Sequence, residues 1–198
     1  MADGTKDRII GEALRLFADQ GYAGTSVAAI EKAAGLSPHS GALYTHFASK
    51  EAVMAAAIDR AAQVAEAGFA LAPMLPLGNI EAELTLVARG SLLLMDNWRN
   101  LIRVMMREFD QFPTVMAQAR DRLFDGSYRF LAEWLAAKAS GGDIADRDFE
   151  AITSIWLGAL ENYWVLCHVY DNPPFGMDEE RFIRQWVDTL LDAIGARP

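Results

Sequence analysis

Apolar residues recur along this chain at helical intervals, and no segment shows the two-residue alternation of a strand. Ile10, Ala13, Leu14 and Phe17 follow the i, i+3, i+4, i+7 spacing of one helical face, and Gly21 should end that first helix. Thr25 or Ser26 can cap a short second helix carrying Val27, Ile30, Ala33 and Ala34, with Gly35 as its left-handed stop. Ser37 followed by Pro38 reads as an N-cap with proline at the first helical position, opening a third helix that holds Leu43 and Phe47. A fourth, alanine-rich helix is expected from about Lys50 to Ala70, before a loop at Pro73–Asn79.

Longer elements follow. Ile80, Leu84, Val87, Leu94 and Trp98 form one stripe, which Ile102, Met105, Met106 and Phe109 continue to Phe112-Pro113. A helix from about Thr114 to Ser140 should end at Gly141-Gly142, and another spans about Ala145 to Tyr170. The last has Asp178 as N-cap, a possible staple between Met177 and Phe182, and Gly195 just past its end. The expected fold class is all-α.

Composition narrows the picture. The 198 residues are 52% hydrophobic and 23% charged, a globular mixture long enough to bury a core without disulfide or metal. A single cysteine suits a reducing compartment, and the first residues carry no secretory pattern, so a cytoplasmic protein is expected. The longest apolar stretch, around Ile152 to Tyr170, is broken by Glu161, Asn162 and His168 and makes a poor membrane span. Residues 1–50 hold five basic and five acidic side chains, whereas residues 51–198 hold 13 basic and 22 acidic, so the whole net charge of −9 lies there. Such asymmetry suggests two parts with different partners. An acidic body repels phosphate and excludes indiscriminate nucleic-acid coating, yet leaves room for a small neutral module that grips DNA locally.

Three short helices near the start, two of them joined by a tight glycine turn, outline a helix-turn-helix, whose last helix can enter a major groove about 12 Å wide. Thr25-Ser26-Val27-Ala28-Ala29-Ile30, then Ala34-Gly35-Leu36-Ser37, then Gly41-Ala42-Leu43-Tyr44-Thr45-His46-Phe47-Ala48-Ser49-Lys50-Glu51 resemble the DNA-binding domain of the TetR family. The resemblance is dense over about residues 8–60 and persists in Arg107-Glu108 with Phe112-Pro113. It implies a helix-turn-helix domain at residues 1–50, extending into the connecting helix to about 70, and a larger helical ligand-binding and dimerisation domain at 51–198. One departure stands out. Ser37 and Gly41 are separated by Pro38, His39 and Ser40, two residues more than the family's commoner pattern.

Candidate DNA contacts are Thr25, Ser26, Ser37, Pro38, His39, Ser40, Gly41, Tyr44, Thr45, His46 and Lys50. With Leu43 and Phe47 facing inward, Tyr44 should point out toward a phosphate. Lys50 opens a helix, where its charge opposes the positive end of the dipole; a phosphate partner would remove the conflict. Thr25 and Ser26 act as caps whose neighbouring N–H groups can also meet a phosphate oxygen. His39, Ser40 and Thr45 lie where base edges would be read, and His46 either joins them or packs on Phe47.

Catalysis fits poorly. His39 and His46 lack a carboxylate at ligand spacing, no HExxH or CxxC occurs, and the adjacent Cys167 and His168 point about 100° apart on a helix. No enzyme activity, cofactor or metal is expected. Eight methionines and five tryptophans instead allow an apolar ligand cavity, with Met95, Trp98, Met105, Phe109, Phe112, Met116, Trp134 and Trp156 as candidate lining and Glu161 and Tyr163 as candidate polar groups. The same side chains also suit an ordinary helical core. Phe182, Ile183, Trp186, Val187, Leu190, Leu191 and Ile194 form a face wider than one core contact needs, so a homodimer through helices at about 145–170 and 178–195 is expected. The combined reading is a dimeric regulator of a pseudo-palindromic DNA operator, a repressor released by a small apolar or aromatic effector. A DNA binder without ligand response, or an all-α small-molecule carrier with a vestigial DNA-binding part, remains the alternative.

Overall fold

The computed structural model describes residues 2–71, 77–108 and 110–196, without the side chains of residues 2, 3 and 69–71. Among these residues the chain forms α-helices, short 3-10 turns and one π-helical turn, and no strand. The all-α expectation holds. The expected loop at Pro73–Asn79 lies largely outside the described residues, as does Phe109.

The described chain divides into two compact units. The first comprises residues up to Val64 together with Trp98–Leu123, so it takes in more than the N-terminal 50 residues. It contains α1 (Ala2–Gln20), α2 (Val27–Ala33), a 3-10 turn (Ala42–Thr45), the start of α3 (Lys50–Leu71), α5 (Arg99–Glu108) and α6 (Pro113–Ala119). The apolar face of α1 buries Ile9, Ile10, Ala13 and Phe17, with α2 and α5 packed against the helix. Ile30, Leu43, Val53, Met54, Ile58, Leu101 and Val104 complete this core. Burying each such side chain contributes roughly 1.5–3 kcal/mol. Gly21 ends α1 as its position predicts, at φ +83° with its N–H on the Phe17 carbonyl at 2.9 Å.

The second unit, Ala65–Asn97 with Phe124–Pro198, contains α4 (Ile80–Asn97), α7 (Asp125–Ser140), α8 (Phe149–His168) and α9 (Glu179–Ala193). Here α4 packs on α8 and α9, and α7 on α8. Asp148 and Asp178 cap α8 and α9 by accepting the N–H of Ala151 at 3.0 Å and of Arg181 at 2.7 Å.

Three expectations change. The third helix does not start at Pro38: Ser37–Ser40 form a turn, and four residues from Ala42 make a single 3-10 turn. The stripe that runs on from Ile80 breaks at Trp98 into α4 and α5, and the next helix is interrupted by a π-helical turn at Arg120–Phe124. The wide apolar face of α9 is not spare surface, since Ile183, Trp186, Val187, Leu190, Leu191 and Ile194 are all buried within their own unit. Phe182 stacks on Tyr163, with ring centroids 4.0 Å apart.

Candidate nucleic-acid interface

The helix-turn-helix is assembled by local chemistry. Ser26 caps α2, its Oγ accepting the Ala29 N–H at 3.1 Å, so of the two candidate caps the serine acts. Thr25 is 1% exposed and works inward: its hydroxyl donates to the Gly21 carbonyl at 2.8 Å and accepts from Gln20 Nε2 at 3.3 Å. At the far end Gly35 takes φ +72°, and Leu36 N–H closes back on the Glu31 carbonyl at 2.8 Å.

The turn after α2 is tighter than a helix. His39 at φ +61° and Gly41 at φ +72° are both left-handed, a conformation free for glycine and unfavourable for histidine. Ser40 Oγ donates to the Ser37 carbonyl at 2.6 Å and accepts the Ala42 N–H at 3.2 Å. Thr45 Oγ1 donates to the Ala42 carbonyl at 2.7 Å and keeps acceptor capacity. Ser37, Pro38, His39, Ser40, Tyr44 and Thr45 are all exposed, with Tyr44 at 57%, whereas His46 and Gly41 are half-buried. Of the candidates after Leu36, the structure thus exposes Ser37, Pro38, His39, Ser40, Tyr44 and Thr45.

Lys50 is placed differently from the simplest expectation. Its Nζ donates to the carbonyls of Tyr22 at 2.9 Å and Thr25 at 2.7 Å, and sits 4.2 Å from the Tyr22 ring centroid. These contacts offset the unfavourable helix dipole without an outside anion and leave one ammonium hydrogen for another acceptor. Burial lowers its pKa.

Two buried carboxylates brace this arrangement. Glu108, at the end of α5, accepts the Tyr22 N–H at 3.0 Å, and Arg107 Nε lies 3.7 Å from it. Tyr22 in turn packs on Phe17 and edge-on against Phe112, with centroids at 5.0 and 4.5 Å. Glu31, on α2, accepts the Leu43 N–H at 3.1 Å. Sequence reasoning passed over Glu31 and Tyr22. The one available signal for this clamp was Arg107-Glu108, which matched a mid-chain pattern without revealing what the carboxylate touches.

The candidate ligand residues do not gather in one unit. Trp98, Met105, Phe112 and Met116 belong to the first, and Met95, Trp134, Trp156, Glu161 and Tyr163 to the second. Within the second, Tyr128 on α7 donates to Glu161 Oε2 on α8 at 3.1 Å. Burial raises the Glu161 pKa; the Tyr128 hydroxyl is pushed up to about 12 by burial and the Glu161 charge. Tyr163 donates to the Met177 carbonyl at 3.1 Å, and burial followed by Cys167 raises its pKa. Trp186 Nε1 donates to the Trp156 carbonyl at 2.7 Å.

Comparison with known proteins agrees with this geometry. The family model of bacterial regulatory proteins of the tetR family matches residues 9–57. The uncharacterized HTH-type transcriptional regulator YerO of Bacillus subtilis is 44% identical over 54 residues, which are 27% of this chain and 18% of that one. The chain therefore aligns with under a fifth of that relative's length. A structure assigned to the TetR family of transcriptional regulators, from Mesorhizobium loti MAFF303099, superposes with a TM-score of 0.78 at 20% identity, covering 98% of both chains. The fatty acid degradation regulator FadR from Bacillus halodurans gives 0.73 at 20% identity over 94% of each.

Proposed function

The chain belongs to the TetR family of bacterial regulatory proteins, and on that premise we propose that it is a dimeric, sequence-specific DNA-binding regulator, a repressor released by a small apolar or aromatic ligand. The observation that carries the reading is the braced surface in which Ser37–Ser40, Tyr44 and Thr45 all face outward from a helix-turn-helix. DNA reading falls to residues 1–50 with the first part of α3, and ligand binding and dimerisation to residues 51–198. Such a protein works in the cytoplasm, beside its DNA.

In the mechanism, Tyr44, Ser26 and the remaining hydrogen of Lys50 hold phosphates, and Thr25, whose N–H and hydroxyl are both bonded within the turn before α2, contributes by holding Lys50 through its carbonyl. Ser37, Pro38 and Gly41 shape the approach, while His39, Thr45 and His46 meet base edges. Ser40, with its hydroxyl already donating and accepting within the turn, acts chiefly as part of the scaffold.

Dimerisation rests on α8 rather than on the apolar face of α9. Ala151, Ile155, Ala159 and Leu166 recur at helical spacing, and Ile155 is 62% exposed. Phe175, in the segment before α9, is 96% exposed at φ +54°. Apart from these, a two-fold dimer sets its recognition turns about 34–36 Å apart, so a pseudo-palindrome is the matching operator. The Tyr128–Glu161 pair supplies polar groups among apolar helices, as an effector site needs. An effector coupled to DNA by about 1–3 kcal/mol changes operator affinity roughly 5- to 150-fold. No helix among the described residues is long and apolar enough to cross a membrane.

Tyr44→Phe tests the phosphate role, because it removes one hydroxyl and nothing else. Binding should weaken roughly fivefold on operator and unrelated duplex alike, the loss of about 1 kcal/mol for one hydrogen bond. Unchanged binding on both would remove Tyr44 from the interface; a loss on the operator alone would make it a base reader.

A further inference from the structure

We propose that Glu31 is a specificity-determining positioning residue: its carboxylate supplies the cap that the recognition turn lacks, and so sets how Tyr44 and Thr45 meet DNA. The inference rests on the DNA-reading function above. The turn Ala42–Thr45 begins at Gly41, which has no side chain with which to cap it. Each of its first N–H groups nevertheless has an acceptor. Ala42 reaches Ser40 Oγ at 3.2 Å, Tyr44 the Gly41 carbonyl at 3.0 Å, and Leu43 reaches Glu31 Oε1 at 3.1 Å. Of the three, Glu31 alone comes from another element, twelve residues back on α2.

The energetics argue that this bond serves geometry. Glu31 is 0% exposed, and its second oxygen, Oε2, has no hydrogen-bond partner among the described residues. A buried carboxylate with one hydrogen bond carries a desolvation penalty that an apolar side chain of similar volume avoids. What the carboxylate adds is a fixed direction for the Leu43 N–H, and through it for the two exposed residues that follow. The segment needs such an anchor. It holds two left-handed residues, His39 and Gly41, within three positions. Glu31 ties it to the rigid helix beneath.

The test uses the full-length protein with Glu31→Leu and Glu31→Gln. The probes are the duplex that wild-type protein enriches from random sequence and an unrelated duplex of equal length. Specific binding usually exceeds non-specific binding by orders of magnitude, and Glu31→Leu should cut that ratio roughly tenfold or more while leaving affinity for the unrelated duplex within about threefold. Glu31→Gln keeps an acceptor oxygen for Leu43 and should hold the ratio within about threefold of wild type. Amide hydrogen exchange at Leu43 should accelerate in the leucine variant and not in the glutamine variant. An unchanged ratio in Glu31→Leu, or equal loss in both variants, overturns the capping role. If wild-type protein enriches no sequence, the DNA-reading function itself falls, a result that no Glu31 variant is needed to see.

Discussion

Replacing Glu108 by alanine should lower stability by about 3 kcal/mol, which for a chain of this length means a melting temperature lower by roughly 6–12 °C. The carboxylate is buried, receives the Tyr22 N–H and stands beside Arg107. Charge-assisted hydrogen bonds of this kind are worth about 1.5–3 kcal/mol, and their removal leaves a part-buried N–H without an acceptor as well as a void. The damage should reach the helix-turn-helix. Tyr22 is where the Phe17, Phe112 and Lys50 contacts meet, so releasing its backbone loosens the whole entry to α2. Glu108→Gln retains an acceptor and should cost about 1 kcal/mol. Thermal unfolding of both variants checks the account; a loss below about 1 kcal/mol for the alanine variant would show that the turn holds itself.

Trp164→Ala should be still more damaging, at about 3–5 kcal/mol. The indole is 1% exposed among the helices of the second unit, and its N–H donates to Asp96 Oδ1 at 3.1 Å. Truncation removes the largest fully buried side chain there and opens a cavity that α4 and α8 cannot close without shifting. Trp164→Phe keeps much of the volume and leaves no unpaired donor, so it should cost less than half as much. Urea unfolding followed by circular dichroism distinguishes them through the midpoint shift. Equal midpoints for wild type and Trp164→Ala would mean that the ring does not support the core.

What was legible in the sequence was governed by short-range chemistry. Gly21 ending α1, Ser26 capping α2 and Asp178 capping α9 each depend on residues within one helical turn, and each appears as expected. The third helix misled for the opposite reason. Ser37-Pro38 has the chemistry of a helix start, but the left-handed backbone at His39 and Gly41 diverts the chain, and spacing cannot show where such a reversal falls. The face of α9 was correctly seen to be wide, yet width does not name a partner; α4 and α8 cover it. At the candidate site, the exposure of Tyr44 followed from Leu43 and Phe47 facing inward, of which Leu43 is fully buried. At Lys50 the sequence shows the helix dipole but not that two carbonyls of the turn between α1 and α2 converge on its ammonium. Glu31 and Glu108 stayed hidden because a buried carboxylate and a solvated one look alike in a string of letters.

The most direct measurement is selection of random duplex DNA by the purified full-length protein at about 100 mM salt, a concentration at which non-specific phosphate binding is already weakened. Enrichment of a palindrome with half-sites about one helical turn apart is the predicted result, since it requires both base reading and a two-fold dimer. A folded protein that enriches no sequence would contradict the regulator reading and leave the helix-turn-helix a relic on a protein with another task.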